Sequence, residues 1–132
     1  MAIKIIKWNE AMSVGNDLLD GEHRTLIALT NKLVAAYYAG VGSKVVVQVF
    51  QEILDYTKVH FANEEDYLRE IGYPDYEAHC EVHRKFVAGL DGVDLSGSSL
   101  LTTLSDWLVH HILQDDARYR DYLAQRTAVL DF

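Results

Sequence analysis

The histidines of this chain lie where side chains could bind a metal ion. The 132-residue sequence contains six histidines, and five of them fall on the apolar faces of predicted helices. Residues four apart project from one face of a helix, one turn apart, so the pairs His60/Glu64 and His79/His83 each offer two ligand atoms in one direction. The five histidines are His23, His60, His79, His83 and His111. Imidazole and carboxylate groups that face a bundle interior are how helical bundles hold metals, and without a metal their burial would cost kilocalories.

The kinds of ligand available favour iron over zinc. A thiolate-rich zinc site is excluded because Cys80 is the single cysteine of the sequence, and the His-Glu-x-x-His motif of zinc proteases does not occur. Five histidines with at least two carboxylates exceed the four ligands of tetrahedral zinc. They suit two octahedral ions bridged by carboxylates. Mixed imidazole and carboxylate ligands favour iron, with manganese as the alternative.

Composition bounds the remaining classes of function. A chain of this length predicts one domain, residues 1–132. The net charge of −8 argues against nucleic acid as a partner, because phosphate binding needs a basic surface. No apolar run approaches the roughly 20 residues that cross a bilayer, so we expect no membrane insertion. Together with the lone cysteine, this predicts a cytoplasmic protein.

The elements that must position these residues are predicted to be four helices. Residues 1–17 have no helical period and are predicted to form an extended arm across the domain. Apolar periodicity and helix-stop signals predict the helices that follow, with Ser43 and Asp75 as N-caps. These helices cover about residues 18–39, 43–70, 75–90 and 98–115, with a loop from 91 to 97. One or two further turns are expected after Asp116. Short connections then predict an all-α, antiparallel up-down-up-down four-helix bundle with an extended N-terminal arm.

Several short stretches of this sequence match a known family. They are Trp8 with Ser13-Val14-Gly15, Leu19-Asp20-Gly21-Glu22-His23, His60-Phe61-Ala62-Asn63-Glu64-Glu65, Gly72-Tyr73-Pro74, His79 with His83, Trp107-Leu108-Val109-His110-His111-Ile112, and Asp116 with Tyr119. With these stretches, the chain resembles the bacterial hemerythrins, which are single-domain proteins that bind oxygen at a di-iron centre. The resemblance extends from residue 8 to about residue 122.

This resemblance implies a ligand set and a function. Three histidines would hold one iron, two would hold the other, and two carboxylates with an oxo or hydroxo group would bridge them. The implied ligands are His79, His83 and His111 on the first iron, His23 and His60 on the second, and Glu64 and Asp116 as bridges. The second iron would keep an open position for reversible binding of dioxygen. The protein would then be an oxygen carrier, store or supplier and not an enzyme. The alternatives are a sensor of oxygen or redox state that acts through an unidentified partner protein, and a di-iron oxidase or peroxidase.

Other positions are assigned by the same resemblance or depart from it. Phe61, Trp107 and Leu113 occupy places that line the oxygen pocket of the family, with ordinary core packing as the alternative. Glu22 stands where the family often has glutamine, and it could accept the second ring N–H of a ligand histidine. His110 matches nothing in the family pattern and is expected at the surface or behind the ligands.

Two adjacent aspartates compete for the place of the second bridge. A regular helix from His111 would return Asp115 to the same face, whereas the family pattern points to Asp116. We predict Asp116, which requires a single-turn π-bulge after His111, a feature that is frequent at functional sites. Asp115 is then expected to point toward solvent.

Overall fold

The fold is a helical bundle, as the sequence predicts. The computed structural model describes residues 5–90 and 99–130, and every regular element in these ranges is helical. The helices are α1 (Asp17–Tyr38), α2 (Ser43–Glu70), α3 (Tyr76–Leu90), α4 (Ser99–His110) and α5 (Ala117–Leu130). A π-helical segment, His111–Asp116, joins α4 to α5 without a break. Helix α1 packs against α2 and α4, and α2 packs against α3. Within these ranges, no helix is both long and apolar enough to cross a membrane.

The N-terminal arm is extended except for one 3-10 turn, Glu10–Met12. Two sets of hydrogen bonds fix the arm to α1. The side chain of Asn31 accepts from the Ile6 N–H and donates to the Ile6 carbonyl, both at 2.8 Å. The Asp20 carboxylate accepts from the Val14 N–H at 2.8 Å. Of the predicted arm, residues 1–4 lie outside the described residues.

Of the two predicted N-caps, Asp75 lies next to the start of its helix and Ser43 does not cap. Asp75 precedes α3, and its carbonyl accepts from the His79 N–H at 3.0 Å. The predicted cap at Ser43 is wrong, because Ser43 is the first residue of α2 and Gly42 is the capping residue, with no side-chain cap. Gly42 has φ +102°, a conformation that L side chains rarely adopt. The tight turn between α1 and α2 therefore selects glycine where a polar cap was expected.

The C-terminal helical run is longer than predicted. We expected the fourth helix to end near Asp115, with one or two turns after it, but helical structure continues to Leu130. The π-helical segment widens the turn without interrupting the helical backbone, so the helix continues past it. The predicted loop over 91–97 lies outside the described residues.

The core separates into apolar clusters with a polar layer between them. At one end of the bundle, Leu19 and Tyr119 belong to a buried cluster. Leu26 and Ile112 belong to the next cluster along the bundle. His23 lies between Leu19 and Leu26 on α1 and is 1% exposed. Polar side chains at this level are therefore enclosed on both sides by hydrocarbon, where only paired or metal-bound groups are stable.

Candidate metal centre

All seven predicted ligand residues converge in this polar layer. None of their side chains is more than 5% exposed. Their candidate ligand atoms form two groups, within each of which all atoms lie within 4.8 Å of one another. The groups are Glu64, His79, His83, His111 and Asp116, and His23, His60 and Glu64. Because Glu64 belongs to both groups, the geometry is that of two adjacent sites that share a carboxylate.

Each oxygen of Glu64 faces a different group of histidines. Its Oε1 lies 2.7 Å from His79 Nε2 and 3.0 Å from His83 Nε2. Its Oε2 lies 3.4 Å from His23 Nε2 and 3.4 Å from His60 Nε2. One carboxylate therefore reaches the three-histidine group with one oxygen and the two-histidine group with the other.

Asp116, at the end of the π-helical segment, repeats this arrangement. Its Oδ2 lies 3.1 Å from His23 Nε2, and its Oδ1 lies 3.1 Å from both His79 Nε2 and His111 Nε2. The predicted π-helical turn is confirmed, and it places this side chain inside, fully buried. Two carboxylates on different helices thus span the same two groups of histidines.

Several of these atoms are close together without being hydrogen-bonded. Both ring nitrogens of His23, the Nε2 of His60 and both oxygens of Asp116 are buried and find no hydrogen-bond partner among the described residues. His23 Nε2 lies 3.1 Å from Asp116 Oδ2 and His60 Nε2 lies 3.4 Å from Glu64 Oε2, which are ion-pair distances, but neither pair is hydrogen-bonded. Buried polar atoms left in this state cost free energy. Cations in the two groups would satisfy the Nε2 atoms of His23 and His60 and both oxygens of Asp116.

A second layer of carboxylates orients three of the histidines. In each case the ring Nδ1 lies within 2.9 Å of a carboxylate oxygen, and since a carboxylate only accepts, the Nδ1–H donates. The pairs are His60 with Glu22 at 2.7 Å, His83 with Glu65 at 2.8 Å, and His111 with Asp115 at 2.9 Å. This bond fixes the ring so that the Nε2 lone pair faces the centre, which is how outer partners orient metal ligands.

The sequence predicted that Glu22 could accept the second ring N–H of a ligand histidine, whereas the same role of Glu65 was missed. Glu22 accepts from His60 through one oxygen and from the Asn63 side chain through the other, both at 2.7 Å. Glu65 directly follows Glu64, the residue that both groups share, and accepts from His83. An acidic residue beside a candidate bridge was the available signal for this role.

The predicted orientation of Asp115 was wrong. Its side chain is only 22% exposed, and its Oδ2 accepts from His111 Nδ1 instead of pointing freely to solvent. Because Asp115 is four residues from His111, it returns to the same side of the helix, but behind the ring. Asp116 therefore lies among the candidate ligands, and Asp115 lies behind them as the partner of His111. His110, in contrast, is exposed, within the range expected from sequence.

Comparison with known proteins assigns the family. The sequence model of the hemerythrin HHE cation binding domain matches residues 14–123. The chain belongs to the hemerythrin family. It is 36% identical over 125 residues to a bacteriohemerythrin of Stenotrophomonas maltophilia, covering 89% of this chain and 80% of that protein. It is 32% identical over 116 residues to a hemerythrin-like protein of Naegleria gruberi, covering 88% and 92%. A bacteriohemerythrin of Campylobacter jejuni is 29% identical over 128 residues, covering 90% and 96%.

Without a bound metal ion, several of these histidines would favour their protonated forms. Burial disfavours a charge on His23, but the adjacent carboxylates of Asp116 and Glu64 outweigh this penalty and raise the pKa of His23 to about 9. The same two carboxylates overcome the penalty of burial at His79 and raise its pKa to about 9. For His111, the charge of Asp116 and the bond to Asp115 overcome burial and raise the pKa to about 10. Protons are therefore the species that a metal ion must displace.

The carboxylates of Glu64 and Asp116 favour their ionised forms in this setting. Burial works against the charge of Glu64, but the surrounding imidazoles, His23 first, hold its pKa well below its usual value. Burial and the charge of Glu64 both oppose ionisation of Asp116, yet His111 and His23 keep its pKa low. Two anionic groups in a buried layer attract cations strongly.

Aromatic rings close the centre on the side of a small cavity. Phe61 stacks on His83 with ring centroids 3.7 Å apart, and Trp107 stacks on His111 at 4.5 Å. Both rings also line a cavity of about 10 Å³, whose other walls are mostly aliphatic and aromatic. A cavity of this volume is at the lower limit for holding a single water molecule. Leu113 packs instead with the cluster around Ile112.

Proposed function

We propose that this hemerythrin-family chain binds dioxygen reversibly at a di-iron centre and acts as a carrier, store or local supplier of oxygen. The observation that carries the proposal is the double bridge. Glu64 and Asp116 each direct one oxygen to the three-histidine group and the other to the two-histidine group. Seven side chains so placed would hold two ions with unequal numbers of histidines, leaving room for a small ligand on the ion with fewer.

The donor set fits iron. The orphaned nitrogens and oxygens of the layer call for cations, and imidazoles mixed with carboxylates suit iron. When bound, reduced iron supplies the electrons and the open position that dioxygen requires. The residues of the chain then hold the ions, keep the imidazoles aligned through their outer carboxylates, and exclude water with Phe61 and Trp107.

The balance of ligands supports binding without turnover. Five neutral imidazoles and two carboxylates make this centre poorer in negative charge than the carboxylate-rich bundles with paired Glu-x-x-His motifs. Neutral ligands stabilise the ferrous state, from which oxygen can leave again. We therefore propose that the protein is not an enzyme. A cytoplasmic location stays a prediction from the sequence.

A spectroscopic cycle tests the proposal. Purified protein should hold about two irons per chain, by the ligand count. The reduced, anaerobic protein should be nearly colourless, develop a charge-transfer band in air, lose it under argon and regain it in air. His79→Ala should lose iron and helical stability together, because metal binding energy is partly folding energy. Prompt, irreversible oxidation with release of peroxide would instead support an oxidase, and a protein without iron would refute the proposal.

A further inference from the structure

Four tyrosines form a continuous series of ring contacts from the centre to the surface. Tyr119 is fully buried, and its hydroxyl donates to Glu64 Oε2 at 3.1 Å. Its ring lies 6.1 Å from that of Tyr67 and 6.2 Å from that of Tyr73, measured between centroids. Tyr73 is 7% exposed and lies 5.5 Å from Tyr122. Tyr67 and Tyr122 are both partly exposed, so the series has two ends at the surface.

We propose that this tyrosine series (Tyr67, Tyr73, Tyr119 and Tyr122) supplies electrons to the centre when there is more hydrogen peroxide than the ferrous iron alone can reduce. The proposal rests on the proposed function, because it requires bound iron. A phenol is among the side chains most readily oxidised by one electron, and it gives up its hydroxyl proton as it does so. Rings in edge contact allow the electron to move in short steps instead of one long transfer.

Tyr119 is suited to the first step by its hydrogen bond. When it gives an electron to the oxidised centre, its proton can move along the existing bond to Glu64. Trp107 is a competing donor, since its ring stacks on His111. Its other described ring neighbours are Phe61 and Phe86, and phenylalanine is much harder to oxidise. An electron lost from Trp107 would therefore not be replaced by these neighbours, whereas one lost from Tyr119 would be replaced by Tyr67 or Tyr73.

The overall reaction balances with two tyrosines for each peroxide. Hydrogen peroxide takes two electrons and two protons and becomes two waters as its O–O bond breaks. Tyr73 or Tyr67 returns an electron to Tyr119, which recovers its proton, and Tyr122 returns one to Tyr73. The net change is that Tyr67 and Tyr122 each lose one electron and, to solvent, one proton. The oxidising equivalents then end on Tyr67 and Tyr122 instead of on the ligand histidines, as a protective event and not as catalytic turnover.

Spin trapping of the iron-loaded protein tests this route. The reduced protein is treated with excess hydrogen peroxide in the presence of a nitroso spin trap, and the adducts are located by peptide mass spectrometry. We expect adducts at Tyr67 and Tyr122. Tyr38 is the internal control for freely diffusing radicals, because it is 41% exposed and lies 15 residues beyond His23 on α1, about 22 Å along the helix.

Two variants distinguish the route from unspecific damage. Tyr119→Phe should lose the adducts at both ends of the series, and Tyr73→Phe should lose the Tyr122 adduct while keeping that at Tyr67. Tyr73→Phe decides the matter if Tyr119→Phe loses iron, because Tyr73 makes only a ring contact with the ligand His79, at 6.5 Å, among the described contacts. Iron content and the reversible oxygen spectrum are measured for each protein.

The outcomes separate this proposal from the proposed function. A wild-type protein that holds no iron overturns both. A protein that binds iron and oxygen reversibly, but is labelled at Trp107 or as strongly at Tyr38, overturns the tyrosine route alone. Adducts that persist unchanged at Tyr122 in an iron-loaded Tyr73→Phe variant also overturn it.

Discussion

Replacing Asp115 with alanine should weaken iron binding without abolishing it. The substitution removes the acceptor of the His111 Nδ1–H bond, which is 2.9 Å long. His111 keeps its place in the helix and its stacking on Trp107, so the ring stays near the centre. What it loses is the group that fixes its tautomer and orientation.

The size of the effect follows from the exposure of Asp115. Loss of such an outer partner typically costs 10–100-fold in metal affinity, or about 1.4–2.7 kcal/mol. The Asp115 side chain is 22% exposed and lines a surface pocket of about 50 Å³ with Arg118 and His79, so water can occupy the vacated position. We therefore expect the lower end, about tenfold or about 1.4 kcal/mol.

Competition with a ferrous chelator under anaerobic conditions measures this change. Gln114→Ala is the matched control, because Gln114 is exposed in the same π-helical segment. Asp116→Ala should lose iron or its bridged spectrum altogether, since its carboxylate is fully buried between the two groups of histidines. Equal affinities for Asp115→Ala and Gln114→Ala would refute the orienting role. Full iron binding by Asp116→Ala, with loss in Asp115→Ala, would reverse the two assignments.

Further predictions concern protons and the cavity. The metal-free protein should lose unfolding free energy as pH rises from about 6.5 to about 9 and beyond, because His23, His79 and His111 have a pKa of about 9, 9 and 10 when folded against about 6.5 unfolded. Thermal unfolding across this range measures it, and a flat curve would contradict it. Iron binding near pH 7 should release about three protons, since ligand imidazoles must be neutral; an indicator titration without release would count against this. Trp107→Ala should speed decay of the oxygenated band by admitting water, and Leu113→Ala should change it less. Equal decay rates in both variants would remove Trp107 from the pocket.

Local spacing is what made much of the centre predictable. The pairs His60/Glu64 and His79/His83 lie one turn apart whatever the tertiary structure, so their joint direction can be deduced from sequence. Their convergence with His23 then follows from burying the apolar face of each helix. The choice of Asp116 required the family pattern, because regular periodicity favours Asp115.

The outer layer of carboxylates could not be deduced in the same way. Whether Glu65 or Asp115 reaches a histidine depends on which ring nitrogen faces the centre, and packing between helices sets that orientation. The expectation that Asp115 faces solvent failed because a residue outside the ligand face can still reach the back of a ligand ring. The end of the last helix at Leu130 was missed for a simpler reason, since the polar C-terminal sequence has little apolar periodicity from which to extend a helix.

The π-helical segment makes the centre depend on chain length as well as on side-chain identity. His111–Asp116 contains one more residue than an α-helical turn would need. Each inserted residue rotates everything after it by about 100°. The wider π-helical turn absorbs this rotation, which is why Asp116, five residues after His111, still faces Glu64. Straightening the segment without a deletion would turn Asp116 and Tyr119 away from Glu64, whereas deleting Gln114 would place Asp116 four residues after His111, on the inner face of a regular helix. A one-residue gap at this point in an alignment of relatives would therefore be compatible with the second bridging carboxylate, because a regular helix would then carry it four residues after the histidine.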